Sequence, residues 1–229
     1  MRPHTRTFLD PPAGLADLDS AAAVLLPVPY EGGVSWGPGA ALGPEAVLEA
    51  SAELELYDEA LRFETCRMGI ATAGPPEDIS GPEAMLASVR RSVAEILEAG
   101  QFPVILGGDH SVSVGVFREL AARHGRLSVI QLDAHADLRE SYQGRRLSHA
   151  CTMARIREQT PDTLQIGVRS LCREEADRIA REEIPVCTME AYRTGTFDLD
   201  PALRRLPDPV YLTVDVDALD WSVVRSTGT

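Results

Sequence analysis

"VIQLDAHADLRE", residues 129–140, is the stretch on which the reading of this chain turns. A mostly apolar run, Val129 to Leu132, passes directly into Asp133, His135 and Asp137. Side chains alternate along a strand, so polar groups spaced two apart start out on one side. Two carboxylates on the same side of a buried-type strand are costly unless water or a positive group meets them. The strand either surfaces into solvent here or faces a cation.

The same pattern recurs on both sides of this stretch. Candidate strands are "AVLLPV" (23–28), "MGIATA" (68–73), "PVILGG" (103–108), "LSVIQL" (127–132), "LQIGV" (164–168), "IPVCTM" (184–189) and "VYLTVDV" (210–216). Several are nearly continuous apolar runs, as in strands covered on both faces. Helical patterns alternate with them. In 82–100, Met85, Leu86, Val89, Val93, Ile96 and Leu97 recur at helical spacing before Gly100. Residues 111–125 open on a capping-type Ser and close at Gly125, and 173–183 reads as a more solvated helix. The Gly/Pro-rich piece 30–47 reads as a long loop. Strand and helix in alternation predict an α/β chain: three layers, α/β/α, around a mainly parallel sheet. No repeat or linker divides it, so one domain over 1–229 is expected.

Composition excludes several function classes. The 229 residues carry a formal net charge of −13, which repels nucleic acid phosphates. No apolar run reaches the length of a membrane span, and the N-terminus lacks the apolar core of a signal peptide. Cys66, Cys151, Cys172 and Cys187 form no C-x-x-C pair, and reduced thiols of a cytoplasmic protein are expected.

In open α/β sheets, ligands bind beyond the carboxyl ends of the strands. Three charged clusters fall there: "GGDHS" (107–111), "DAHAD" (133–137) and "DVD" (215–217). If these ends meet, four carboxylates and two imidazoles converge, and divalent cations would resolve the crowding of like charge. Oxygen and imidazole donors without thiolate suit manganese, with zinc or iron also open. A metal pair roughly 3.5–4 Å apart holds a hydroxide at neutral pH that attacks a trigonal carbon. Each cluster alone has a bland reading as a solvated strand end; the conjunction of three favours metal. "GGDHS" lacks the Lys of a P-loop and the G-x-G-x-x-G spacing, which argues against nucleotide binding.

On "GGDHS", "DAHAD" and "VDVDALD", in that order, the sequence resembles the ureohydrolase family of arginases, agmatinases and formimidoylglutamases. The resemblance extends to "GPGAALGPEAVLEAS" (37–51), and through "DLRESYQGRRLSHACTMARI" (137–156) and "QIGVRS" (165–170) it is nearest the agmatinase branch. It implies an arginase-like fold and two Mn2+ ions. His110, Asp133, Asp137 and Asp215 would hold one ion, and His135, Asp133, Asp215 and Asp217 the other. Asp137 would orient the bridging hydroxide, and His149 would pass a proton to the departing amine. The implied reaction is hydrolysis of a small guanidino substrate, agmatine giving putrescine and urea, within polyamine metabolism. The implied assembly is a homo-oligomer, trimer or hexamer.

Two departures stand out. After the seventh strand the family reads "DP", a small apolar stretch and "PGTGTP"; here it reads "DWSVVRSTGT", with Trp221, Arg225 and Ser226 in place of Pro, Pro and Gly. Arg225 would pair with a substrate carboxylate and favour a guanidino acid. Formimidoylglutamate is a further alternative. The chain also ends at Thr229 within that loop. The family's eighth strand, which inserts beside the third and seventh, is therefore expected to be missing, and the domain incomplete. A competing reading follows: a catalytically silent relative that binds metal or associates with full-length subunits.

Overall fold

Ala23–Val28 forms strand β1, the centre of a three-stranded sheet whose order is β4-β1-β5, all parallel. The computed structural model describes residues 1–227; Gly228 and Thr229, the end of the substituted loop, lie outside the described residues. The chain divides into two units, Met1–Glu119 and Leu120–Thr229, with the division inside one helix.

In the first unit, β1 is followed by α1 (Gly43–Ser51), a hairpin of β2 (Tyr57–Asp58) and β3 (Phe63–Glu64), and β4 (Ile70–Thr72). Then come α2 (Pro82–Glu98), β5 (Phe102–Gly107) and the start of α3 (Val112–His124). Helix α2 begins with Pro82 at its first position, where the missing N–H would have no partner anyway. Its Met85, Val89, Val93 and Ile96 are fully buried, and the helix packs on β1 and β5. That face is the one its spacing predicts. The segment read as a loop over 30–47 is ordered by its own acid: Glu31 accepts the N–H groups of Gly39 and Ala41 at 2.8 and 3.0 Å, just before α1 begins. The β2–β3 hairpin has no periodic signal in the sequence, because each strand is two residues long.

The second unit carries β6 (Ser128–Leu132), α4 (Thr152–Arg157), β7 (Thr163–Val168) and α5 (Arg173–Glu182). It continues with β8 (Val186–Thr188), the short helices α6 (Met189–Thr194) and α7 (Leu199–Arg204), and β9 (Val210–Val214). The four strands are parallel in the order β8-β7-β6-β9. Both sheets are flanked by helices, as a three-layer α/β/α fold requires. The expected strand over 210–216 is shorter in the structure. The Asp215 N–H makes the last ladder bond, while its side chain accepts the Asp217 N–H at 3.1 Å and caps Val216–Ala218 as one turn of 3-10 helix.

Strands β5 and β9, beside which the resemblance puts a further strand, each have a strand partner on one side only among the described residues. On β9, Val210, Leu212 and Val214 alternate with Tyr211 and Thr213 and are exposed. Among the described residues no helix is long and apolar enough to cross a membrane.

Candidate metal centre

The registers of β6 with its two neighbours build the site. Leu132 lies opposite Ile166 of β7 and Val214 of β9. Each ladder runs one bond further: Asp133 N–H donates to Ile166 O at 3.1 Å, and Asp215 N–H to Leu132 O at 2.9 Å. "DAHAD" and "DVD", some eighty residues apart in sequence, therefore leave the sheet side by side.

They are then tied together directly. The Ala134 N–H donates to Asp217 Oδ1 at 3.0 Å, and His135 Nδ1 lies 2.9 Å from Asp217 Oδ2. Asp133, His135 and Asp217 each offer a ligand atom, all within 4.8 Å of one another. Asp133 and Asp137 offer carboxylate oxygens within the same 4.8 Å. Asp215 is not in the first group; its Oδ1 is engaged with the Asp217 N–H. His110 belongs to the first unit, on the turn between β5 and α3. There Gly108 passes so close to the first strand's loop that a Cβ would stand 2.1 Å from Tyr30 O. The neighbouring Asp109 accepts the N–H groups of Gly33 and Ser111 at 2.9 Å each. His149 opens the turn before α4; its ring meets Tyr142 edge-on, centroids 5.6 Å apart, and Arg139 lies over the other partner, 5.3 Å from the Tyr142 centroid.

The electrostatics of this cluster call for positive charge. Asp133 is 1 % exposed and Asp137 5 %. The carboxylates of Asp133 and Asp217 push the imidazole of His135 up to about 10, so it holds a proton among them at neutral pH. A divalent cation satisfies the same carboxylates with the imidazole neutral, and oxygen and nitrogen donors without thiolate fit such an ion.

The loop that carries these groups is held by residues to which the sequence reading gave no role. Gln131 and Gln165 lie opposite each other on β6 and β7, both at 0 % exposure. Gln165 donates to Gln131 Oε1 and to Ala136 O, and Gln131 Nε2 donates to Asp133 Oδ2 at 2.6 Å. The His135 N–H donates to the other oxygen, Asp133 Oδ1, at 2.7 Å. Glu175, buried on the first turn of α5, accepts from Leu138 N–H and Cys172 N–H at 2.9 Å each. Asp137 itself adopts a left-handed backbone, φ 52°, a region that Asp tolerates better than most residues. Gln165 lies 34 and 29 positions from Gln131 and Ala136, and Glu175 lies 37 from Leu138; only the two buried amides inside otherwise apolar strands offered a signal.

A parallel sheet that gathers acids and an imidazole at its carboxyl end presents the donors that a cation-dependent hydrolase uses. Residues 21–229 match the model of the arginase family. An N(1)-aminopropylagmatine ureohydrolase of Synechocystis sp. is 36% identical over 232 residues, 98% of this chain and 76% of its own length. An agmatinase of Pyrococcus horikoshii is 33% identical over 232 residues, 99% of this chain and 78% of its own. The crystal structure of an agmatine ureohydrolase of Thermoplasma volcanium superposes with a TM-score of 0.87 at 26% identity, over 99% of this chain and 76% of that one. The chain belongs to the arginase family.

Proposed function

We propose that this chain hydrolyses the terminal guanidinium of a linear guanidino amine, with agmatine giving putrescine and urea, using two Mn2+ ions. The observation that carries this reading is the Asp133–His135–Asp217 cluster, an oxygen-and-imidazole donor set at the strand ends with Asp133 buried and His135 reaching solvent. Asp137 lies beside Asp133. By the positions of their motifs, His110 and Asp215 complete the ligand set. The names of the similar ureohydrolases support the substrate class and add N(1)-aminopropylagmatine to it.

When bound, such a cation pair would supply a nucleophilic water at neutral pH and stabilise negative charge on its oxygen. Asp137 orients that water towards the guanidinium carbon. The water oxygen stays on that carbon, the C–N bond to the amine breaks, and His149 gives the departing nitrogen its proton. All four cysteines are free thiols, in keeping with a cytoplasmic setting, and the resemblance favours a trimer or hexamer.

Urea release from agmatine, N(1)-aminopropylagmatine and 4-guanidinobutanoate, and formamide release from formimidoylglutamate, with added Mn2+, test the proposal. Turnover of the first two supports it. Preference for 4-guanidinobutanoate, abolished in Arg225→Ala, replaces it with a guanidino-acid hydrolase. Silence on every guanidino substrate at full Mn2+ occupancy overturns it in favour of a catalytically silent relative.

A further inference from the structure

Arg169, in the "QIGVRS" segment, lies outside the ligand set, and the reaction above gives it no task. It follows β7 immediately after the irregularity between Ile166 and Val168. Its main chain faces one ligand loop: the N–H groups of Arg169 and Ser170 both donate to Ala134 O, at 2.8 and 2.9 Å, and Ser170 bridges to His135. Its side chain reaches the other. Nη2 donates to Asp217 O at 2.5 Å and to Leu219 O at 3.1 Å, and Nη1 to Ala218 O at 3.3 Å and back to Gly167 O at 3.4 Å.

The acceptors 217–219 are the carbonyls that a single 3-10 turn leaves without internal partners at its end. A planar guanidinium presents several donors in a fixed fork and suits them; a lysine ammonium is a point charge on a flexible stem. The residue is exposed, so each bond competes with water, and the hold comes from convergence on one short turn. All four acceptors are neutral carbonyls. The positive charge of Arg169 is thus spent on backbone geometry beside a site that itself attracts cations.

We propose that Arg169 is a positioning residue: by clamping the carbonyls of 217–219 while its backbone holds Ala134, it fixes the Asp217 carboxylate against His135 and sets the affinity of the cation held on that side. The inference rests on the two-cation reading above. It differs in sign from a purely electrostatic role. Removing a positive charge beside a cation site tightens cation binding, whereas removing a clamp loosens it.

Mn2+ titrations of the full chain, followed by calorimetry and electron paramagnetic resonance, separate the two. The unsubstituted chain is expected to bind two ions with a spin-coupled spectrum. In Arg169→Gln one ion binds as before, the other binds about 10- to 100-fold more weakly, and the coupled spectrum disappears at limiting Mn2+. Excess Mn2+ restores kcat with KM for agmatine unchanged. Arg169→Lys, which keeps the charge and part of the donor set, falls between the two and covers the case in which Arg169→Gln does not fold. Two ions bound with unchanged or tighter affinity in the foldable variant overturn the clamp alone. Fewer than two ions in the unsubstituted chain overturn the two-cation reading and the clamp with it.

Discussion

Gln131 Nε2 stands 2.6 Å from Oδ2 of Asp133, and both side chains are sealed from solvent. Gln131 is itself fixed by Gln165 across the β6–β7 ladder, so a buried amide pair sets the plane of the central carboxylate. A hydrogen bond from each side leaves a lone pair on each carboxylate oxygen for a cation. Replacing Gln131 by Leu removes the donor and leaves a buried carboxylate oxygen short of a partner. The expected loss is about 1–3 kcal/mol of unfolding free energy, read from urea denaturation of the metal-free protein. An unchanged midpoint and slope would show that Asp133 does not depend on the relay.

Gly167 takes φ +101°, and a Cβ there would meet Asp133 O at 3.1 Å. Both the backbone angle and the close approach demand glycine. Gly167→Ala is expected to destabilise by about 1–3 kcal/mol and to weaken Mn2+ binding, because the added methyl presses on the residue that carries the central carboxylate. Thermal melts with and without Mn2+ check both effects; equal Tm shifts in the two conditions would confine the effect to folding.

The edge-on contact of Tyr142 with His149 gives the proposed proton donor its orientation. Tyr142→Phe keeps the ring and is expected to retain activity. Tyr142→Ala removes it, and an aromatic pair of about 0.5–1.5 kcal/mol corresponds to a roughly two- to tenfold fall in kcat. Initial rates of urea release at saturating Mn2+ distinguish the variants. Equal loss in both would shift the role from the ring to the hydroxyl.

Burial pushes the Cys151 thiol up to about 11 from 9.0, against the smaller opposing pull of Arg155. The folded-state value lies above the unfolded one. Its contribution to stability is therefore fully present below pH 9 and is lost as the pH rises towards 11, where only the unfolded chain ionises at first. Cys151→Ala is expected to flatten the decline in stability over that window relative to the unsubstituted protein, measured by urea midpoints at pH 8.5 and 10.5. Parallel declines would place the alkaline sensitivity elsewhere.

The strands were legible because burial on two faces writes near-continuous apolar runs, and β1 falls on the expected residues 23–28. The buried face of α2 was legible for a similar local reason, since Met85, Val89, Val93 and Ile96 share one side of a 3.6-residue period. The two-residue strands β2 and β3, and the six-residue helices α6 and α7, were not, because elements that short complete too few repeats to show a period. Strand β9 ends two residues before the expected 216 for a different reason: after the Asp215 N–H makes the last ladder bond, its side chain caps a 3-10 turn that takes the next residues out of the sheet.

By itself, the sequence singled out which residues could hold a cation. Asp133, His135 and Asp217 stand out as acids and an imidazole where apolar strands end, a conflict visible without coordinates. Only the tertiary structure decided how they meet. Leu132 opposite Val214 is a choice of register, and that choice brings the Ala134 N–H onto Asp217 and His135 beside it. The Gln165–Gln131 pair behind Asp133 and the fork of Arg169 on the 217–219 carbonyls likewise join residues 34 to 50 positions apart. Hydrogen bonds across strands depend on which chains lie side by side, and local spacing carries no record of that.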